Sequence, residues 1–231
     1  SLLESIGQPD GYVSFLLENS PEMAFFDLGC LYSGIINIMI PANSVAKHVG
    51  MILDETKSPV IIVDDEKQLA KIKTIKNDVK SLKKVILLEG TSAEEYVIAF
   101  EEFLKFAPEK EIKRNLQKEK NINVQDTATI MYTSGTTGEP KGIVFSYHNI
   151  VYKRFCRAMA IPEIGEDDRF LCYLPLYHTF GRYLELTGAV FWASEYIFME
   201  NPSVETMVAS MQMVKPTVFI SIPKKWLQIY E

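Results

Sequence analysis

The sequence has 231 residues, 47% of them hydrophobic and 23% charged, which is typical of soluble globular proteins. With only 12 Gly and 11 Pro, it is neither collagen-like nor of low complexity. The net charge of −6 disfavours a general nucleic-acid binder, whose surface should be basic, so no nucleic-acid partner is expected. The three cysteines, Cys30, Cys156 and Cys172, lie far apart and form no Cys/His cluster. This spacing favours free thiols in a reducing compartment, and we expect a cytoplasmic protein.

The strongest apolar stretch near the N-terminus runs from Met23 to Pro41. It is interrupted by Asp27, Gly29 and Gly34, whereas a membrane-spanning helix needs roughly 20 predominantly apolar residues. The stretch therefore predicts a buried helix that leads into a strand. The residues before it have no basic region and no cleavage site, so no secretory signal is expected.

Short apolar runs alternate with helical patterns along most of the chain, as in proteins built from βαβ units. The predicted strands are Tyr12–Leu17, Ile36–Ile40, Pro59–Val63, Val85–Leu88, Thr127–Thr133, Phe170–Leu174, Tyr196–Met199 and Thr217–Ile220. The predicted helices include Pro21–Ser33 with Ser20 as its N-cap, Ser44–Thr56 capped by Ser44, and Ser203–Val214. The pattern predicts an α/β fold of packed, largely parallel sheets with helices between them.

Two charged stretches need separate interpretations. Residues 109–123 hold few apolar side chains, and we interpret them as a connector between subregions 1–108 and 124–231. The lysine-rich stretch from Lys71 to Lys84 could bind RNA or anionic lipid. However, its apolar residues recur at helical spacing, which favours an ordinary amphipathic segment with a solvated face.

The segment from Ile130 to Val144 carries the clearest chemical signal. It reads Ile-Met-Tyr-Thr-Ser-Gly-Thr-Thr-Gly-Glu-Pro-Lys-Gly-Ile-Val, so a buried strand runs into a group of hydroxyl residues, glycines and a lysine. Glycine lets backbone N–H groups approach a ligand closely, hydroxyls add donors, and lysine adds a cation. These groups suit a polyphosphate, although a polar, threonine-rich hairpin without a ligand is the alternative. Neither the Walker spacing nor G-x-G-x-x-G is present.

Eleven positions of this segment resemble the signature loop of the adenylate-forming (ANL) superfamily, which includes acyl-CoA synthetases, peptide-synthetase adenylation domains and luciferases. They are Tyr132, Thr133, Ser134, Gly135, Thr136, Thr137, Gly138, Glu139, Pro140, Lys141 and Gly142. Further resemblance lies in Glu18–Glu22, in Leu174–Phe180 and in Val214–Thr217. The last of these, together with Ile222–Trp226, is similar to the long-chain fatty acyl-CoA synthetase branch.

The resemblance implies a two-step reaction with ATP, Mg²⁺ and CoA. A fatty acid attacks ATP to give an acyl-adenylate and pyrophosphate, and CoA then displaces AMP. The loop from Tyr132 to Gly142 would hold the phosphates, and Thr133 would also ligate Mg²⁺. Lys141 is a less fixed ligand than a Walker lysine. His178 matches a position beside the acyl and adenylate pocket, where we expect it to position or gate rather than act as general base.

Two departures from the family pattern bear on function. Long-chain enzymes commonly have Phe-Glu-Arg where this chain has Phe180-Gly181-Arg182, so the acyl chain length stays open. The later family motifs that supply a second magnesium ligand, the ribose aspartate and the catalytic lysine do not occur. We therefore expect residues 1–231 to be a partial N-terminal ATP/AMP-binding domain without the C-terminal domain, and inactive on its own.

Several alternatives remain open. The full-length protein could activate an aromatic or amino acid, or it could be a non-catalytic nucleotide- or anion-binding module. Fatty acid and CoA are the expected small-molecule partners. Peripheral contact with the inner membrane is compatible with a fatty-acid substrate. Homo-oligomer formation is a further option, since a partial domain exposes surfaces that promote self-association.

Overall fold

The computed structural model describes Leu3, Gln8 and residues 11–106, 122–134, 138–199 and 203–230. The chain forms two compact units. Unit 1 comprises Ser1–Leu17 and Phe26–Tyr147, and unit 2 comprises Glu18–Phe25 and His148–Glu231. These units do not coincide with the predicted subregions, because the strands that follow the predicted connector pair within unit 1. The connector itself lies largely outside the described residues.

The described elements alternate between strands and helices. The strands are β1 (Val13–Leu16), β2 (Asn37–Met39), β3 (Val60–Val63), β4 (Lys84–Leu87), β5 (Val97–Ala99), β6 (Thr127–Ser134), β7 (Pro140–Ser146), β8 (Arg169–Cys172) and β9 (Glu195–Phe198). The helices are α1 (Pro21–Ser33), α2 (Ala46–Thr56), α3 (Glu66–Ile75), α4 (Phe100–Leu104), α5 (Tyr147–Ala160), a π-helix (Phe180–Leu186), α6 (Thr187–Trp192), α7 (Val204–Val214) and α8 (Pro223–Tyr230). None of the described helices is long and apolar enough to cross a membrane.

Unit 1 is built on a seven-stranded sheet in the order β5-β4-β3-β1-β2-β6-β7. All neighbouring pairs are parallel except β6 and β7, which form an antiparallel edge. The central strands are buried along their length; every residue of Val60–Val63, for example, is inaccessible to solvent. Continuous apolar runs of this kind are expected where helices cover both faces of a parallel sheet. The predicted α/β class of packed, largely parallel sheets is confirmed in that the central sheet is mostly parallel and flanked by helices.

The interior of unit 1 is aliphatic and positions β6. Helices α2 and α3 contribute Val49 and Ile72, which pack with Ile38, Ile61 and Val85 of the sheet. The lysine-rich stretch follows the amphipathic interpretation, since its apolar positions Ile72, Ile75, Val79 and Leu82 are all buried. The helix ends at Ile75, and the remaining apolar residues enter the core from turns.

Unit 2 contains a two-stranded parallel sheet, β8 with β9, and helices that pack around it. The predicted strand Thr217–Ile220 is wrong: only Val218 forms an isolated bridge, to Phe170. The predicted cap of α1 is confirmed, because the Met23 N–H donates to Ser20 Oγ at 3.1 Å. The predicted cap Ser44 is wrong, since helix α2 begins at Ala46 after Val45, which makes no side-chain cap bond.

Candidate functional site

The described residues of the predicted phosphate loop lie mainly on the two strands of an antiparallel hairpin in unit 1. Strand β6 enters from the buried sheet and β7 returns, with Thr133 opposite Lys141 and Ser134 opposite Pro140. Thr133 is half-buried, whereas Lys141 is exposed. Gly135, Thr136 and Thr137 lie outside the described residues. The hairpin therefore places the hydroxyl residue Thr133 and the cationic Lys141 on paired positions at the edge of the sheet.

Two glycines of the hairpin have specific structural roles. Gly138 has φ +83°, a left-handed conformation that L-residues other than glycine rarely adopt. Gly142 lies opposite Tyr132, and a Cβ atom there would come within 3.0 Å of both the Tyr132 ring and Ile130 Cγ2. The glycines thus allow the turn and leave room for an aromatic ring beside it.

The side chain of Tyr132 belongs to the core of unit 1. It is 3% exposed, and its hydroxyl donates to Glu55 Oε2 on α2 at 2.9 Å. Burial is the main cause that raises the pKa of this hydroxyl, and the bond to Glu55 adds to it. The buried ring of Tyr132 fixes the end of β6 in the core, so only the backbone of Tyr132 can contact a ligand.

A buried polar chain supports β6 from the sheet side. Thr129 Oγ1 donates to Asn37 Oδ1 at 2.5 Å, and Asn37 Nδ2 donates to Asp27 Oδ1 at 2.8 Å. All three residues are at most 1% exposed and lie on β6, β2 and α1. Buried polar groups are tolerated when they are hydrogen-bonded in this way, and such networks specify a single arrangement of the elements that carry them.

The hairpin suits an anionic ligand more than a metal bound by protein groups alone. Among the described residues of the hairpin, Lys141 supplies a cation and Thr133 a hydroxyl. Glu139 is the one acidic side chain among positions 132–142. Among the described residues, no group of three or more His, Cys, Asp or Glu could hold a metal ion. These groups fit a Mg²⁺ ion that keeps water and phosphate oxygens as most of its ligands, as Mg²⁺ usually does.

The second predicted site residue, His178, lies in unit 2 at the start of the π-helix. Its ring is exposed and stacks on Phe180, with the ring centroids 6.1 Å apart. The Phe180 N–H donates to His178 Nδ1 at 3.3 Å. In the neutral ring the proton therefore lies on Nε2, which is then a hydrogen-bond donor. An Nε2–H group donates a hydrogen bond and is not a base, and the positioning role of His178 stays a prediction.

The turn after β8 packs tightly against the π-helix. A Cβ atom on Gly181 would lie 2.5 Å from the carbonyl oxygens of Leu174 and Pro175, closer than real Cβ atoms come. The glycine at this position, where the long-chain pattern has glutamate, is therefore required by a close approach of two backbones. Segments of π-helix are rare and occur frequently at functional sites.

Arg154 of α5 packs against the π-helix. It is 5% exposed, its Nη1 lies 3.4 Å from the carbonyl oxygens of Tyr183 and Leu184, and its guanidinium stacks on Trp192 at 4.1 Å. Burial, with a smaller effect of Arg157, lowers its pKa to about 10. Arg154 thus links α5 to two backbone carbonyls of the π-helix.

A buried carboxyl group in unit 2 was not identified from the sequence. Glu185 is 1% exposed and accepts a hydrogen bond from the Tyr196 hydroxyl at 3.2 Å. Burial raises its pKa to about 8, although Tyr196 and the amides of Leu174 and Tyr173 act in the opposite direction. Burial also raises the pKa of the neighbouring Cys172 thiol to about 12. The sequence feature that could have identified Glu185 is the position of a glutamate inside the apolar run 183–192.

The chain is similar to curated proteins of known activity. It is 28% identical to the long-chain-fatty-acid–CoA ligase heimdall of Drosophila melanogaster, over 100% of this chain and 35% of that protein. It is 29% identical to the long-chain-fatty-acid–CoA ligase ACSBG1 of Rattus norvegicus, over 95% of this chain and 31% of that protein. The chain spans about a third of the length of these relatives.

Solved structures share the fold. The anthranilate CoA ligase AuaEII in complex with anthranoyl-AMP matches 97% of this chain and 42% of its own, with a TM-score of 0.83 and 21% identity. A putative long-chain-fatty-acid CoA ligase from Rhodopseudomonas palustris matches 95% and 52%, with a TM-score of 0.81 and 17% identity. The AMP-binding enzyme family matches residues 1–231. With its largely parallel sheet and its Ser/Thr/Gly hairpin, this chain belongs to the AMP-binding enzyme family.

Proposed function

We propose that the full-length protein containing this chain is an AMP-forming fatty acid–CoA ligase. The observation that carries the proposal is the Ser/Thr/Gly/Lys hairpin at the end of β6 in a chain of the AMP-binding enzyme family. The two relatives described above, both long-chain-fatty-acid–CoA ligases, support a fatty acid as the substrate class. The proposal concerns the full-length protein, since this chain spans about a third of those relatives.

In this mechanism the hairpin binds the phosphates of ATP, and no covalent bond to the protein forms. The carboxylate of the fatty acid attacks the α-phosphorus, the bond to the β-phosphate oxygen breaks, and pyrophosphate leaves. The amides of the turn and Lys141 stabilise the charge on the leaving group, which is electrostatic catalysis. Thr133 would be the protein's ligand to Mg²⁺, and the ion, when bound, neutralises phosphate charge. The CoA thiolate then displaces AMP from the acyl-adenylate.

His178 acts on the acyl side in this proposal. With Nδ1 accepting from the Phe180 N–H, the neutral ring offers Nε2–H as a hydrogen-bond donor. Such a group orients a carboxylate or adenylate oxygen without taking a proton. A fatty acid is already ionised near neutral pH, so the first step needs no general base.

We propose that the 231-residue chain alone does not catalyse the reaction and that it self-associates when isolated. We also propose that the full-length protein acts in the cytoplasm. All three cysteines are free thiols, which supports a reducing compartment. Apolar side chains of α5 are exposed, with Val151 at 61% and Met159 at 70%. Light scattering at high concentration tests the self-association, and a monodisperse monomer would contradict it.

The first experiment measures carboxylate-dependent pyrophosphate release by the full-length protein. The acids run from acetate to palmitate, with benzoate and an amino acid, and the 231-residue chain serves as a control. We expect release to peak on a fatty acid and the chain alone to be silent. A peak on benzoate or on the amino acid would make that acid, rather than a fatty acid, the proposed substrate. No release with any acid would favour the non-catalytic module.

A matched pair of threonine variants tests the hairpin. Thr133 and Thr127 are both half-buried on β6, at opposite ends of the strand. Valine keeps the β-branched shape at each position and removes only the hydroxyl. We expect Thr133→Val to lower kcat/KM for ATP by about 100-fold, the size typical of removing one transition-state donor. Thr127→Val should leave kcat/KM for ATP unchanged. Equal effects of both variants would contradict the assignment of Thr133 to the site.

A further inference from the structure

The side chain of Asn19 binds the backbone of the turn that precedes His178. Its Nδ2 donates to the Leu174 carbonyl oxygen at 2.9 Å, and its Oδ1 accepts from the Leu176 N–H at 2.8 Å. The two groups lie two residues apart in the turn that follows β8. Asn19 therefore makes two hydrogen bonds to the backbone of this segment, although about 155 positions of the chain separate them.

Two further contacts hold the same segment. The Asn19 amide also lies 3.5 Å from Cys172 Sγ, at the end of β8. Gly181 of the π-helix also approaches the carbonyl oxygens of Leu174 and Pro175 so closely that no side chain fits between them. The segment is thus fixed by the Asn19 amide and by backbone packing.

His178 depends on this segment for its position. Its N–H donates to the Pro175 carbonyl at 3.0 Å, and its own carbonyl accepts from the Arg182 N–H at 3.0 Å. Hydrogen bonds therefore link the turn that Asn19 binds to His178, and His178 to the π-helix. A shift of the Leu174 carbonyl would move the Pro175 carbonyl and with it the imidazole.

From this geometry we infer that Asn19 is a positioning residue for the ligase reaction: its amide fixes the turn Leu174–Leu176 and thereby the place and tautomer of His178. The inference rests on the proposed function for its catalytic consequence. Asn19 touches no reacting atom and acts through the turn. Aspartate in its place would keep the acceptor toward the Leu176 N–H but would put an oxygen against the Leu174 carbonyl, where a donor is needed.

The test compares Asn19→Asp with Ser20→Ala in the full-length protein. Ser20 lies beside Asn19, and its hydroxyl accepts from the Met23 N–H as the cap of α1, so its variant reports the cost of local destabilisation alone. We expect Asn19→Asp to lower kcat for pyrophosphate release by about 100-fold, the size of effect that a misplacement of about 1 Å can produce, with KM for ATP little changed. Ser20→Ala should stay within about twofold of the natural protein. Equal losses in the two variants would overturn the inference.

A second readout does not depend on turnover. The 231-residue chain has three histidines, so ¹⁵N-histidine spectra assigned with His178→Gln report the tautomer of His178 directly. We expect the Nε2–H form in the natural chain and in Ser20→Ala, and a mixture of tautomers in Asn19→Asp. Asn19→Ser, whose hydroxyl can make one of the two backbone bonds, should fall between them and replaces Asn19→Asp if that variant does not fold.

The two readouts separate the possible failures. If the full-length protein releases no pyrophosphate from any acid, the proposed function fails while the spectra still test the link from Asn19 to His178. If pyrophosphate is released but the His178 signals are the same in all variants, the positioning role fails and the proposed function stands.

Discussion

Replacing Glu185 by glutamine should change how the stability of this chain depends on pH. The carboxyl is buried, and its pKa is about 8 in the folded chain against an ordinary value of 4.5. Between these two values the folded state keeps a proton that the unfolded state has released. Because the unfolded state then binds fewer protons, the free energy of unfolding falls as pH rises. The stabilising contribution is complete below about pH 4.5 and lost by about pH 8.

The magnitude follows from the size of the shift. Each pKa unit corresponds to about 1.4 kcal/mol, so a shift of 3.5 units corresponds to about 5 kcal/mol over the whole window. Between pH 5 and pH 8 the loss should be about 4 kcal/mol. Tyr196 and Cys172, which interact with this carboxyl, have pKa values raised far enough by burial to stay neutral through this range. Glutamine has nearly the same shape and no proton to lose.

The assay is urea unfolding of the chain and of Glu185→Gln at intervals from pH 5 to pH 9. We expect the difference in free energy of unfolding between the two to change by about 1.4 kcal/mol per pH unit up to pH 8 and then to level off. Glu195→Gln is the control, because Glu195 is exposed on the same strand as Tyr196 and water solvates its charge. A difference between the chain and Glu185→Gln that stays constant with pH would refute the argument that Glu185 is neutral when folded.

Three further substitutions test the packing and backbone described above. Gly181→Ala should destabilise unit 2 by about 3 kcal/mol or more, because its Cβ would meet two backbone oxygens. Gly165→Ala is the control and should be tolerated, because a Cβ there meets nothing within 4 Å; thermal unfolding compares the two variants. Ala193→Gly should raise the melting temperature by about 2–4 °C, since Ala193 ends α6 with φ 57° and glycine removes that strain; an unchanged or lower melting temperature would count against it. Thr129→Val should cost about 1–3 kcal/mol by removing the donor to Asn37 Oδ1, and a neutral result in urea unfolding would contradict the importance of that buried bond.

Much of the fold was predictable because continuous apolar runs identify buried strands. Seven of the predicted strands overlap observed ones, and Pro21–Ser33 is a helix with the predicted bounds. Strand β7 was missed because Pro140 and Gly142 are typical of loops and because the segment was interpreted as a phosphate motif. Strand β5 was missed because its three residues, Val97–Ala99, are too few to show a period.

The candidate site was predictable only where a local motif carries it. The hairpin residues could be singled out from their residue types and from the resemblance, and His178 from the resemblance, and their ligand roles stay predictions. The role of Asn19 could not be predicted, because its partners at Leu174 and Leu176 lie about 155 positions away. The side chain of Tyr132 illustrates the same limit, since the sequence does not show that its hydroxyl reaches Glu55 in the core.

The long-range pairing of β2 with β6 has a consequence for how the protein is made. Thr129 meets Asn37 across 92 positions of the chain, so during synthesis β2 has no neighbour on that side until residues 127–134 have left the ribosome. At ordinary elongation rates of about 5–20 residues per second, this interval lasts about 5–20 s. For that time the nascent chain exposes an apolar strand edge, which is a template for aggregation. Lower temperature or chaperone supply during expression should therefore raise the soluble yield more than changes to the solvent-exposed helices.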